Sequence, residues 1–146
     1  MNKIFTIGFT KKSAEIFFSK LSDAGVRRVV DVRLNNSSQL AGFAKQNDLC
    51  YFLKTICGID YAHIPELAPT KEMLDEFKRN KGDWSVYETK YFTLLAERKI
   101  DDKILNTIKD KDCLLCSEDK PDFCHRRLAA EYISRLFGDM EMAHII

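Results

Sequence analysis

The run Leu115-Cys116-Ser117-Glu118-Asp119-Lys120-Pro121-Asp122-Phe123-Cys124-His125-Arg126-Arg127 gathers two thiols, an imidazole, carboxylates and guanidiniums in one short stretch. It follows the strand-like Asp112–Cys116 and opens the amphipathic helical pattern of Phe123 to Phe137, so it reads as strand, polar loop and helix. Asp122 is the expected N-cap, which places Cys124 and His125 in the first helical turn. Free backbone amides and the helix dipole there stabilise an anion, either a bound oxyanion or the Cys124 thiolate. His125 and Arg126 add positive charge, and Glu118 at the loop mouth suits a general acid or base. Cys116 closes the strand beside them and joins the anion-binding candidates. The plainer alternative is that the cysteines only pack and that Arg127 pairs with Glu131, four residues on.

Two further strand ends carry suitable residues. In Arg27 to Arg33, alternation puts Val29, Asp31 and Arg33 on one face and Val30 and Val32 on the other. Arg33 suits a bidentate clamp on a carboxylate or phosphate, with Asp31 accepting a hydroxyl or orienting a base. A structural Asp31–Arg33 ion pair accounts for the same residues without function. At Thr6-Ile7-Gly8-Phe9-Thr10, Gly8 allows close backbone approach, and the Thr6 and Thr10 hydroxyls suit polar groups of a ligand; an ordinary turn capped by Thr10 or Ser13 is the alternative. His63, near Glu66, would extend the site as an acid or base near neutral pH.

Spacing disfavours two named chemistries. A cysteine phosphatase or sulfurtransferase loop needs Arg about six positions beyond its nucleophile, and counting from Cys124 that position is Ala130. Zinc held by Cys113, Cys116, Cys124 and His125 is disfavoured because positions i and i+3 of a strand face opposite sides. No metal ligand is therefore assigned, and nothing in the pattern names a cofactor.

The elements that must position these residues alternate. Strand signals fall at Lys3–Gly8, Arg27–Arg33, Ile59–Ile64, Asp112–Cys116 and Met140–Ile146. Helical signals fall at Ser13–Ala24, Ala44–Cys57, Lys71–Asn80 (with Thr70 as N-cap), Trp84–Lys99, Asp101–Lys109 and Phe123–Phe137. Cys50 and Cys57 read as packing, and Trp84, Tyr87 and Tyr91 as one core-facing stripe. The expected fold is an α/β three-layer sandwich, a largely parallel central sheet flanked by helices, in a single domain spanning 1–146. In such folds ligands bind beyond the carboxyl ends of the strands, which selects the three loops above.

Composition sets outer bounds. The 146 residues are 45% hydrophobic and 31% charged, which excludes collagen-like and wholly disordered classes. Twenty-three basic residues against 22 acidic leave a net charge of +1. No strong overall field draws in nucleic acid, which is a possible partner but not the favoured one. No apolar run approaches the ~18–20 residues that span a bilayer, so no membrane partner is expected. Five cysteines without a secretion signal point to the cytoplasm.

With those residues in view, the chain resembles the bacterial and archaeal domain of unknown function 488 family over nearly its whole length. The resemblance rests on Thr6-Ile7-Gly8, Asp31-Val32-Arg33, Gly42-Phe43 with Lys45, and Gly58-Ile59 with Tyr61 and His63. It continues through Leu67-Ala68-Pro69-Thr70 and Trp84 to Cys116-x-Glu118-x-x-Pro121-x-x-Cys124-His125-Arg126. It implies a single cytoplasmic α/β domain and brings no established reaction. Phe9 stands where many members carry His, and Leu34-Asn35-Asn36-Ser37-Ser38 replaces a stretch richer in Pro and Arg.

The leading expectation is an enzyme with a Cys-His-Arg anion-binding site acting on a small phosphorylated or nucleotide-like substrate. Two alternatives stay open. One is a non-catalytic module that binds a nucleotide or nucleic-acid end; the other is a redox-responsive protein in which Cys116 and Cys124 pair. Oligomeric state is not legible.

Overall fold

The computed structural model describes residues 3–37, 42–79 and 83–146. Ser38 and Asn80, which entered the sequence reading, lie outside them. Five strands, β1 (Lys3–Gly8), β2 (Arg28–Asp31), β3 (Asp60–His63), β4 (Asp112–Cys116) and β5 (Glu141–Ile145), form one sheet. Its order is β3-β2-β4-β1-β5, and every neighbouring pair is parallel. The helices are α1 (Ala14–Ala24), α2 (Gln46–Phe52), α3 (Lys71–Arg79), α4 (Trp84–Arg98), α5 (Asp101–Thr107) and α6 (His125–Leu136). This is the three-layer α/β sandwich expected from the alternation.

Both faces of the sheet are apolar because both are covered, as parallel sheets require. Phe5, Ile7, Val29, Cys113 and Leu115 pack on one side against Phe17, Phe18 and Leu21 of α1 and Leu49 of α2. Ile4, Val30, Leu114 and Cys116 pack on the other against Tyr91 and Leu95 of α4, Ile104 of α5 and Leu128 and Ile133 of α6. Cys113 and Cys116 thus lie on opposite faces of β4, as strand alternation demands.

Local signals set most boundaries. The Ser13 hydroxyl accepts the Ile16 amide at the start of α1, and Gly25 ends that helix in the left-handed region at φ +80°. Thr70 Oγ1 accepts the Met73 amide at the start of α3. Three features differ from expectation. Strand β2 stops at Asp31, because Arg33 folds back onto the Asp31 carboxylate. The second helix widens into a π turn over Leu53–Cys57 before Gly58. Cys50 is exposed on α2 rather than packed, and Cys57 is half-buried.

The connections explain where a site can open. After β1 and β2 the chain passes to the α1/α2 face, whereas after β4 it passes to α6 on the opposite face. Strand β4 lies between β2 and β1, so the loop leaving β4 diverges from both neighbours. Two crevices result at the carboxyl edge, as at any such switch point.

Candidate functional site

The crevice between β1 and β4 is closed. Thr10 donates both its amide (3.1 Å) and its hydroxyl (2.6 Å) to the Ser117 carbonyl. Lys12 pairs with Asp119 at 2.8 Å. Gly8 lies so close to the loop that an added Cβ would sit 1.5 Å from the Glu118 carbonyl oxygen. Arg126, fully buried, donates Nη1 to that carbonyl and Nη2 to the Asp119 carbonyl at 3.3 Å. Thr6 is interior to β1, where its hydroxyl meets His144 Nδ1 of β5 at 2.7 Å. Thr6, Gly8, Thr10 and Arg126 therefore lie along this sealed seam, engaged with the protein itself.

The crevice between β2 and β4 is open. Arg33, Leu34, Cys116, Ser117, Glu118, Cys124 and His125 line a cleft of about 410 Å³, with Pro69, Phe77, Trp84, Tyr87 and Phe123 opposite. Trp84 stacks on Tyr87 at 4.9 Å, and Phe123, 64% exposed, meets Trp84 edge-on at 5.7 Å. Part of the stripe read as core is thus a cleft wall. The wall was hidden in the sequence because a core face and a cleft face share one helical period.

One side of the cleft is a buried ion pair. Arg33 clamps Asp31 through Nε (2.9 Å) and Nη2 (2.8 Å), and its own amide reaches the same carboxylate at 3.1 Å. The Tyr61 hydroxyl donates to Asp31 Oδ2 at 2.6 Å, and Asn36 Nδ2 approaches at 3.4 Å. Burial pushes the Asp31 carboxyl up, but the hydrogen bonds and charge of Arg33 and the Tyr61 hydroxyl outweigh it, holding it below the usual carboxylate value. Burial, then Asp31, pushes the Tyr61 phenol up. Arg33 Nη1 is buried and has no hydrogen-bond partner among the described residues. Leaving so strong a donor unpaired in a protein interior is costly. His63 stands behind the pair, Nε2 lying 3.4 Å from the Arg33 carbonyl, and Glu66 turns away to Lys103.

Tyr61 was not assigned a role from sequence, although strand alternation puts it on the Asp31 side of the sheet. Tyr61→Phe is expected to cost about 1.5–3 kcal/mol, the range for a hydrogen bond to a charged group. Urea denaturation checks this, and a loss under 0.5 kcal/mol, the scatter about any surface change, would show that Arg33 alone holds the carboxylate.

The other side is a cluster of two sulfurs and an imidazole. Cys116 ends β4, while Cys124 is the N-cap of α6, with φ −133° and ψ 136°. The cap falls two residues later than the expected Asp122 because a turn, Cys124 amide to Pro121 carbonyl, intervenes. Cys124 does not cap with its side chain; its Sγ lies within 4.8 Å of Cys116 Sγ. His125 Nε2 lies 2.7 Å from the Val32 carbonyl, and Nδ1 lies 3.7 Å from Cys116 Sγ. A carbonyl only accepts, so Nε2 carries the proton and the Nδ1 lone pair faces the sulfurs.

That arrangement orders the two thiols. The neighbouring Cys124 thiol, helped by the Ser117 amide and the Arg126 charge, holds the Cys116 thiol below its ordinary range despite burial. The nearby Cys116, then burial, pushes the Cys124 thiol up. The helix-start argument pointed to Cys124; the directions of these shifts make Cys116 the more acidic of the two thiols. Glu118 is exposed at the rim.

No helix among the described residues is long and apolar enough to cross a membrane. No curated protein and no solved structure matches the chain. The family model described as "Domain of unknown function DUF488" matches residues 13–133, a span that runs from the cap of α1 into α6 and takes in both walls of the open cleft, and the chain belongs to that family.

Proposed function

We propose that the protein is an enzyme acting on a small anionic substrate, phosphorylated or nucleotide-like, bound in the cleft between β2 and β4. The observation that carries this reading is the buried Nη1 of Arg33, without a hydrogen-bond partner among the described residues, in a residue that lines one cleft with Cys116, Cys124 and His125. A guanidinium held on one edge by Asp31 presents its remaining donor without further ordering, so little entropy is lost when an anion accepts it.

The remaining parts divide the work. Trp84 and Phe123 offer aromatic faces to a planar group such as a base, and Lys78 also lines the cleft. Cys116, Cys124 and His125 form the reacting centre, with electron pairs directed at whatever the anion positions. Glu118 at the rim handles protons. Asp31 acts through Arg33 as a positioning residue. Arg126, with Gly8 and Thr10, positions the β4–α6 loop, so the anion contact expected of Arg126 passes to Arg33.

Calorimetric titration of the full chain with inorganic phosphate and with adenosine monophosphate tests this. Arg33→Lys keeps a cation beside Asp31 but loses the fork, and is expected to weaken both ligands about tenfold or more. Phe123→Ala, at an exposed position, is expected to weaken the nucleotide by several-fold and leave phosphate unchanged. Affinities unmoved by Arg33→Lys in a folded variant would remove the anion site.

A further inference from the structure

We propose that Cys116, Cys124 and His125 form a binding site for a zinc-class divalent ion whose fourth coordination position faces the cleft. This deepens the reading above by naming what accepts the electron pairs of the reacting centre, and it rests on a different wall from the Arg33 contact. The sequence reading disfavoured a four-ligand set including Cys113, because the strand places that residue on the far face. Folding removes that ligand and leaves three that converge.

Three observations support the site. First, one ligand atom from each residue lies within 4.8 Å of the others, and all three side chains are buried. Around a tetrahedral zinc, Zn–S bonds of about 2.3 Å and Zn–N bonds of about 2.0–2.1 Å put sulfur and nitrogen about 3.6 Å apart. Cys116 Sγ and His125 Nδ1 are already 3.7 Å apart. Second, the imidazole is oriented for ligation. Its Nε2–H is held by the Val32 carbonyl, the outer contact that metal-bound histidines usually make, which leaves the Nδ1 lone pair for the ion. Third, the donor set is soft, selecting a zinc-class ion over magnesium or calcium.

Charge balance fits the surroundings. Binding displaces both thiol protons to solvent, and two thiolates neutralise a divalent ion. The centre is then neutral, so it sits beside Arg33 without repulsion while Asp31 balances that cation. Two cysteines, one histidine and an open position form a set that polarises a substrate oxygen or lowers the pKa of bound water. The open position would lie in the cleft where Arg33 holds an anion, since all four residues line it.

Cobalt(II) is the probe. The reduced full chain, stripped with chelator, is titrated with cobalt(II) and followed by the sulfur-to-cobalt charge-transfer band and the visible bands of a four-coordinate ion. One equivalent is expected to saturate both, zinc is expected to displace it, and proton release is expected to accompany binding. Cys116→Ser and Cys124→Ser, shown folded by circular dichroism, are expected to weaken binding at least a hundredfold, whereas Cys50→Ser is expected to change nothing. In the wild type, zinc is expected to slow alkylation of Cys116 and Cys124 at least tenfold. Absence of a charge-transfer band in the folded, reduced wild type overturns the proposal, as does tight binding that survives both variants. Visible bands unmoved by added inorganic phosphate or thiocyanate overturn the open fourth position. Phosphate titration of the metal-free protein keeps the two readings apart. Loss of the Arg33-dependent affinity there leaves the metal spectrum untouched, and a missing spectrum leaves that affinity untouched.

Discussion

Gly8→Ala is expected to lower the thermal midpoint by roughly 10 °C or more and to weaken anion binding in the cleft. The added methyl would fall 1.5 Å from the Glu118 carbonyl oxygen and 2.8 Å from Arg126 Nη1. Backbone, not a flexible side-chain end, has to move. Overpacking of this kind costs about 1–3 kcal/mol, and losing the hydrogen bond from the buried Arg126 to Glu118 adds about 1.5–3 kcal/mol. The displaced loop leads directly from Cys116 to Cys124, so damage at the closed crevice reaches the open one. Gly25→Ala is the control. Gly25 has φ +80° and nothing within 4 Å of an added Cβ, so it costs about 1–2 kcal/mol of backbone strain and leaves the cleft alone. Differential scanning calorimetry and phosphate titration read both effects. A Gly8→Ala protein with wild-type midpoint and affinity would show that the β4–α6 loop is not held by this contact.

Asp31→Asn is expected to remove about 3–5 kcal/mol, a large part of the ~5–15 kcal/mol by which a domain is stable. Asp31 is fully buried and Arg33 is 2% exposed. Taking the carboxylate away leaves a nearly buried guanidinium with no counter-charge, and the amide keeps one acceptor oxygen for the Arg33 and Tyr61 donors that Asp31 serves with two. The pH dependence follows from the direction of the shift. The folded Asp31 carboxyl titrates below its ordinary value of 3.8, so between the two pKa values the unfolded chain binds more protons than the folded one. Its contribution is complete above about pH 4 and is lost as pH falls through the folded value. Glu66 and Asp119 are also held low, by Lys103 and Lys12 first, so the acid limb of the wild type alone does not isolate Asp31. The difference between wild type and Asp31→Asn does. It is expected to be flat above pH 4.5 and to shrink toward pH 2. A difference that stays constant across that range would mean that folding does not shift the Asp31 pKa, and one that grows toward pH 2 would mean that the folded carboxyl is held above its ordinary value.

These two effects act on the same pocket from opposite sides. Gly8 governs how closely the β4–α6 loop sits on β1, and Asp31 governs whether Arg33 is held beside β4. Neither residue needs to touch a ligand for its loss to be felt there. Asp31→Asn is separable from the metal proposal, whose three ligands remain in place, whereas Gly8→Ala disturbs the loop that joins two of them.

The sequence alone determined the layer architecture and the edge at which chemistry would be found. Apolar runs at β1, β2 and β4 had no polar face to offer water, so only a sheet covered on both sides could hold them. The string from Cys116 to Arg126 had to begin where β4 ends. Ser13, Gly25, Thr70 and Gly58 marked element ends because caps and left-handed positions are local, and local geometry is legible in single residues. What spacing could not give was the allocation of roles among residues that all sit at one edge. Arg33 and Arg126 look alike in the chain. Only the order β3-β2-β4-β1-β5 puts Arg126 over a sealed seam and Arg33 beside an open one. Strand alternation already sent Cys113 and Cys116 to opposite faces, and only the folding of the β4–α6 loop brings Cys116, Cys124 and His125 together. Trp84 and Phe123 came together across 39 positions because α4 and α6 pack on the same face of the sheet. Partnership across such separations depends on where strands insert in the sheet, a property of the whole chain's burial that no local window carries.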